Sequence, residues 1–202
     1  MLKFVVVNYG VGNLRNVKRA FEELEAEVSI TNDLEEILSS DAIIFPGVGA
    51  FSKAMENLSP IADELKEAIN DGKPVFGICL GLQILLTASQ EGGLNQGLGL
   101  VKGKVVKIDA NVKLPHIGWN TIEIKRGNPL VEEIPNNSFM YFAHTYIPKT
   151  ADKEVIIAET EYGTKFPSII AKRNIFATQF HPEKSGKNGL KILENFVKLV
   201  RR

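Results

Sequence analysis

Cysteine is almost missing from this chain: one residue in 202, Cys79. A single thiol excludes an internal disulfide and leaves reactivity as the question that residue poses. An excess of charge of one sign is missing too. Lys+Arg and Asp+Glu stand at 24 each, a formal net charge of zero, so no basic footprint for nucleic acid is expected. Long hydrophobic runs are lacking. The first apolar stretch follows Met1-Leu2-Lys3 and is only about six residues, too short for a signal h-region or a membrane span, and a soluble cytoplasmic protein is expected. Internal repeats, low-complexity tracts and linker-like stretches are lacking as well. One domain over residues 1–202 is therefore expected, long enough to bury a substantial core.

What is present alternates. Residues 2–8 read as a buried strand. Residues 13–24 read as a helix with Leu14, Val17, Phe21 and Leu24 on one face. Residues 28–31 and 42–45 read as strands, 60–70 as a helix ended by Asp71-Gly72, and 74–78 as a strand. This order predicts a doubly wound α/β fold of the flavodoxin-like kind, a mostly parallel sheet with helices on both faces. From Val101 the texture becomes strand after strand, at 101–108, 121–125, 139–142, 155–161, 168–171 and 175–180. An antiparallel, hairpin-rich second half is expected. A last helix, 185–200, has Leu190, Leu193, Phe196, Val197 and Val200 on one face.

Cys79 stands in Val75-Phe76-Gly77-Ile78-Cys79-Leu80-Gly81-Leu82-Gln83, where a strand enters a Gly-x-Cys-x-Gly turn and a helix leaves it. That is the layout of a nucleophile elbow with sulfur in place of oxygen. The glycines permit a sharp reversal, and the helix N-terminus would turn free N–H groups toward the sulfur, favouring thiolate. A lone cysteine is otherwise often a small buried hydrophobe.

A partner for the thiol lies in Thr178-Gln179-Phe180-His181-Pro182-Glu183. Pro182 biases His181 toward extended backbone, and residues two apart in extended chain point the same way. Glu183 is thereby expected beside the imidazole, selecting its tautomer and stabilising its cation. A nucleophile, a base and an orienter result; a surface His beside a surface Glu is the plainer reading.

Two further glycine-rich turns follow strands. Asn8-Tyr9-Gly10-Val11-Gly12-Asn13 invites a dinucleotide reading that fails, because the third glycine would fall at Arg15. Pro46-Gly47-Val48-Gly49 has the flexibility to offer a backbone N–H to an oxyanion, with Leu80 N–H as the second donor, although a plain turn accounts for it equally well. His116 and His144 have no adjacent carboxylate, and no ligand pair has metal-like spacing, so no zinc site is expected.

The elbow and the Phe180-His181-Pro182-Glu183 run, about a hundred residues apart, resemble the class I (triad) glutamine amidotransferases along the whole chain. The resemblance implies that family's fold, with Cys79 attacking the side-chain amide of L-glutamine, His181 moving the proton and Glu183 orienting His181. It also implies no cofactor and ammonia passed to a synthase partner. Gln83, one turn after Cys79, would reach substrate. Glu91 matches the position that grips the α-amino group, and Thr145 and Tyr146 match a backbone-donating segment near the carboxylate. A zwitterionic substrate needs both an acceptor and donors.

Finer motifs narrow the resemblance. The 46–49 turn, Leu114-Pro-His-Ile-Gly-Trp-Asn120, Tyr141-Phe-Ala-His-Thr-Tyr146 and Pro182-Glu-Lys-Ser185 are similar to those of glutaminase subunits of imidazole glycerol phosphate synthase. This implies a heterodimer with a (β/α)8-barrel cyclase subunit and a role in histidine biosynthesis. Asn13, Trp119, Tyr141 and Lys184 match positions near the docking face, though Trp119 alone reads as core and Lys184 alone as a solvated lysine. Residues 47–49 would rotate an N–H into place only when the partner binds. A glutaminase serving another synthase and a catalytically idle binding subunit are the rival readings.

Overall fold

The early apolar runs become the central strands. A computed structural model describes residues 1–10 and 12–202; Val11, within the first glycine-rich turn, lies outside the described residues. The first half alternates as β1 (Lys3–Val7), α1 (Leu14–Glu22), β2 (Glu27–Thr31), α2 (Leu34–Ser39), β3 (Ala42–Phe45), α3 (Phe51–Leu58), α4 (Ala62–Asn70), β4 (Val75–Ile78) and a short α5 (Leu80–Ile84). Every residue of β3 and β4, and all of β1 after Lys3, is buried, as parallel strands covered on both faces require.

Alternation along β1 divides the core. Phe4 and Val6 face α1 and the last helix, α6 (Gly186–Val200), where Phe4 meets Phe21 at 5.4 Å and Phe76 meets Phe196 at 5.0 Å between ring centroids. Val5 and Val7 face the other way, with Phe45, Phe51 of α3 and Leu65 of α4. Helices therefore cover both faces, as expected.

The second half supplies β5 (Leu86–Ser89), β6 (Asn95–Gln96), β7 (Val101–Lys107), β8 (His116–Thr121), β9 (Glu123–Ile124), β10 (Phe139–His144), β11 (Tyr146–Thr150), β12 (Ile156–Tyr162), β13 (Thr164–Lys172) and β14 (Ile175–Thr178) before α6. Among the described residues the strands form three sheets. The large one runs β2-β1-β3-β4-β14-β13-β12-β9, parallel as far as β14 and antiparallel beyond it. A second sheet, β11-β7-β5-β6, and a two-stranded ribbon, β10-β8, stand apart.

Some elements differ from the sequence reading. The strand expected at 121–125 is mainly His116–Thr121, with only Glu123–Ile124 beyond it. In β8 it is Ile117 and Trp119 that are exposed and His116 that is buried, so its polarity is inverted and apolar alternation conceals it. β11 contains Pro148, which its edge position tolerates. Helix α2 is only six residues, opened by Asp33, whose carboxylate accepts the Glu36 N–H at 2.9 Å.

Candidate active site

Three parallel neighbours, β3, β4 and β14, end side by side, and their carboxyl ends are where an open α/β sheet presents its ligands. Cys79 follows β4, residues 46–49 follow β3, and Gln179 to Glu183 follow β14. The Cys79 N–H donates to Thr178 O at 2.7 Å, tying the elbow to β14. Cys79 itself has φ 51° and ψ −102°, a conformation side-chain-bearing residues rarely adopt. Glycine is required around it. A Cβ on Gly77 would lie 2.7 Å from the Gly81 carbonyl, and one on Gly81 would run into the Phe45 carbonyl oxygen. The helix leaving the elbow is short: α5 has five residues and gives way to β5.

His181 has extended backbone, as expected, but Glu183 does not follow along a strand. Pro182–Lys184 is a 3-10 turn, and that turn swings the carboxylate back to the ring. His181 Nδ1 lies 2.9 Å from Glu183 Oε1, both side chains fully buried. Nε2 has no formed hydrogen bond among the described residues. Burial alone would lower the His181 pKa; the negative charge of Cys79 and its hydrogen-bonding contact, then Glu183, outweigh it and raise the pKa to about 10. Because Nε2 makes no formed bond, the pull from Cys79 is best read as charge attraction across an open contact. The direction of the shift favours the imidazolium form beside Glu183.

A cleft of about 220 Å³ opens over the thiol, smaller than the ~300–1,000 Å³ usual for drug-sized ligands. Val48, Gly49, Leu80, Gln83, Glu91, Thr145 and Tyr146, all singled out in the sequence, line it with Cys79. Glu91 Oε2 accepts the Phe51 N–H at 3.1 Å. Gln83 is buried and donates to Tyr146 O at 3.0 Å and to Gln179 Oε1 at 3.2 Å. Gly47 packs its backbone onto the elbow so closely that a Cβ would meet the Ile78 carbonyl oxygen and lie 2.6 Å from Leu80 N. Gly49 has φ 139°. A larger hollow of about 370 Å³ lies between α1 and the start of α6, behind Glu183 and away from the thiol.

Sequence reasoning missed several neighbours. Pro115, Ala143 and His144 also line the cleft, and Ala143 O lies 3.8 Å from Cys79 Sγ. Gln179, fully buried, directs Nε2 to Cys79 Sγ at 3.5 Å. Its signal was a long polar side chain between a buried strand and His181. Tyr9, buried at the end of β1, donates its hydroxyl to Pro46 O. Burial, then the charge of Cys79, raises its pKa well above the ordinary tyrosine value, so it stays protonated.

Three of the four residues matched to a docking face are brought together. Trp119 lies across the ribbon from Tyr141, rings 6.0 Å apart, and Lys184 Nζ sits 5.8 Å over the Tyr141 ring. Trp119, Ile117 and Phe139 expose more than half of their surface. Asn13 instead caps α1, its side chain accepting the Asn16 N–H at 3.4 Å. Tyr141 also touches the site's frame: its carbonyl accepts the His181 N–H at 2.9 Å.

Among the described residues no helix is long and apolar enough to cross a membrane, and no cluster of three or more His, Cys, Asp or Glu is arranged to hold a metal. Comparison with known proteins adds relatives. The chain is 51% identical over 195 residues to the imidazole glycerol phosphate synthase subunit HisH of Methanocaldococcus jannaschii, covering 96% of this chain and 98% of that one. It is 48% identical to the subunit of the same name from Methanosarcina barkeri, covering 98% of each. A crystal structure of a glutamine amidotransferase superposes with a TM-score of 0.77 at 20% identity, over 98% of this chain and 99% of that one, a likeness of fold. The model of the glutamine amidotransferase class-I family matches residues 5–200, and the chain belongs to that family.

Proposed function

We propose that this protein is the glutaminase subunit of an imidazole glycerol phosphate synthase, acting through residues 1–202 as one amidotransferase domain. It releases ammonia from L-glutamine for a cyclase subunit. The observation that carries the reading is a thiol on strained backbone in a small cleft, with an imidazole that lies 2.9 Å from a buried carboxylate. Near full-length identity to proteins named as that synthase's HisH subunit supports the choice of synthase.

In the proposed mechanism Cys79 Sγ attacks the glutamine side-chain carbonyl carbon. The oxyanion is met by the Leu80 N–H and one N–H from residues 47–49; losing one such donor typically costs roughly 3–4 kcal/mol of barrier. His181 Nε2 protonates the departing nitrogen, and ammonia leaves a thioester behind. His181 then takes a proton from water, which attacks the thioester; glutamate departs and the thiolate returns. Glu183 holds the ring throughout. Glu91 accepts the substrate ammonium, and backbone N–H groups of Thr145 and Tyr146 take its carboxylate. Gln83, bonded to Tyr146 O, supports that wall.

The partner is a (β/α)8-barrel cyclase that docks on Trp119, Tyr141 and Lys184, with Asn13 at the rim. Residues 47–49 complete the oxyanion site when it binds. The test is glutamate release from glutamine with and without the cyclase subunit and its ligand, with Cys79→Ala alongside. Release that requires the cyclase and vanishes in Cys79→Ala is expected. Equal release without it removes the gating. Release surviving in Cys79→Ala removes the thioester mechanism, and silence in every mixture refutes the assignment.

A further inference from the structure

His116 opens β8 and His144 closes β10, and antiparallel pairing sets them opposite one another. Both are buried. His116 Nδ1 lies 3.1 Å from His144 Nε2, His144 Nδ1 lies 2.9 Å from Tyr146 O, and Asn120 Nδ2 lies 3.4 Å from His116 Nε2.

This chain has one direction. A carbonyl only accepts, so His144 Nδ1 carries its proton, and the Nε2 of the neutral ring accepts. At the other end Asn120 Oδ1 accepts the Thr121 N–H at 2.8 Å while Nδ2 donates to Glu161 O at 3.0 Å. The amide therefore turns its NH2 toward His116 Nε2, which must accept. The remaining proton sits on His116 Nδ1 and is donated to His144. Burial keeps both rings neutral, lowering the His116 pKa to about 4; burial, then the His116 charge, lowers that of His144 to about 3.

The chain ends at the thiol. Tyr146 O accepts from His144 and also from Gln83, which reaches Gln179, whose Nε2 stands 3.5 Å from Cys79 Sγ. Both lone pairs of one carbonyl are engaged, which pins the backbone at Thr145 and Tyr146 on the cleft wall.

We propose that His116 is a positioning residue for glutamine binding: by donating to His144 it holds Thr145 and Tyr146 where the substrate carboxylate is received. This rests on the glutaminase reading. The competing role is packing, since the His116 ring is stacked 3.9 Å from Tyr162 and 5.0 Å from Phe142.

Two variants separate the roles, assayed as the full chain with its cyclase subunit. His116→Phe keeps a flat ring in the stack and removes the donor. His116→Asn keeps a donor near the Nδ1 position and removes the ring. Positioning expects KM for glutamine about tenfold higher in His116→Phe with kcat within about threefold, and KM largely restored in His116→Asn despite a lower Tm. Unchanged KM in His116→Phe, or His116→Asn as the worse of the two, overturns the proposal while leaving the glutaminase reading intact. A wild type that releases no glutamate under any condition overturns that reading and this proposal with it. Ring 15N shifts of the wild-type protein give a test that needs no variant to fold: Nδ1–H on both neutral rings is expected, and Nε2–H on either one overturns the proposal.

Discussion

At Cys79 the chain holds a non-glycine residue at φ 51° and ψ −102°. Strain of this kind costs roughly 1–3 kcal/mol, and it persists because Gly77, Gly81 and the Thr178 carbonyl overdetermine the turn. Cys79→Gly should relieve it. In urea unfolding it is expected to be more stable than Cys79→Ala by roughly 1 kcal/mol, with glutaminase activity absent from both. Equal stability would mean the elbow is unstrained. The arrangement of Cys79, His181 and Glu183 was legible in the sequence because each residue carries local punctuation: glycines around Cys79, and Pro182 between His181 and Glu183. Gln179 and the histidine pair carry none. Gln179 is 100 residues from the thiol it touches, and His116 is 28 from His144.

At the scale of elements, strand pairing does what no segment does alone. The ends of β3, β4 and β14 converge because they are parallel neighbours, and β8 meets β10 so that two histidines face each other. The pairing has a pH signature. His116 and His144 are lowered in the fold, so unfolding takes up protons below about pH 6.5. Their contribution to stability is full above that value and is lost as pH falls toward about 4 and 3. His181 has the opposite sign: raised to about 10, its contribution is full below about 6.5 and is lost as pH climbs through 10. Urea midpoints between pH 4 and 7 should fall less steeply for His116→Asn than for wild type. An identical slope would show that the buried rings do not set the acid limb.

For the molecule as a whole, the ribbon β10-β8 turns its two faces to different surroundings. Its inner side carries His116 and Phe142 into the core, and its outer side leaves Ile117, Trp119 and Phe139 exposed. These exposed apolar groups, gathered on one ribbon, are where the proposed cyclase docking is placed. Trp119→Ala is expected to weaken cyclase binding by about 2 kcal/mol, roughly thirtyfold in Kd, while leaving the Tm of the free chain within a degree or two. Calorimetric titration against the cyclase reads this directly. A wild-type Kd would move the docking face elsewhere.

Buried runs such as 3–7 and 42–45 announce parallel strands on their own, and glycine spacing announces the elbow, because both depend on neighbours along the chain. The family followed from the same local patterns. Tertiary structure decided the rest. It split the second-half strands into three sheets, put Glu183 on a 3-10 turn, made Asn13 a helix cap and drew Gln179, His144 and Ala143 around the thiol. Those outcomes depend on which strand lies beside which, and side-chain periodicity states which face of a strand is buried without naming the partner it is buried against.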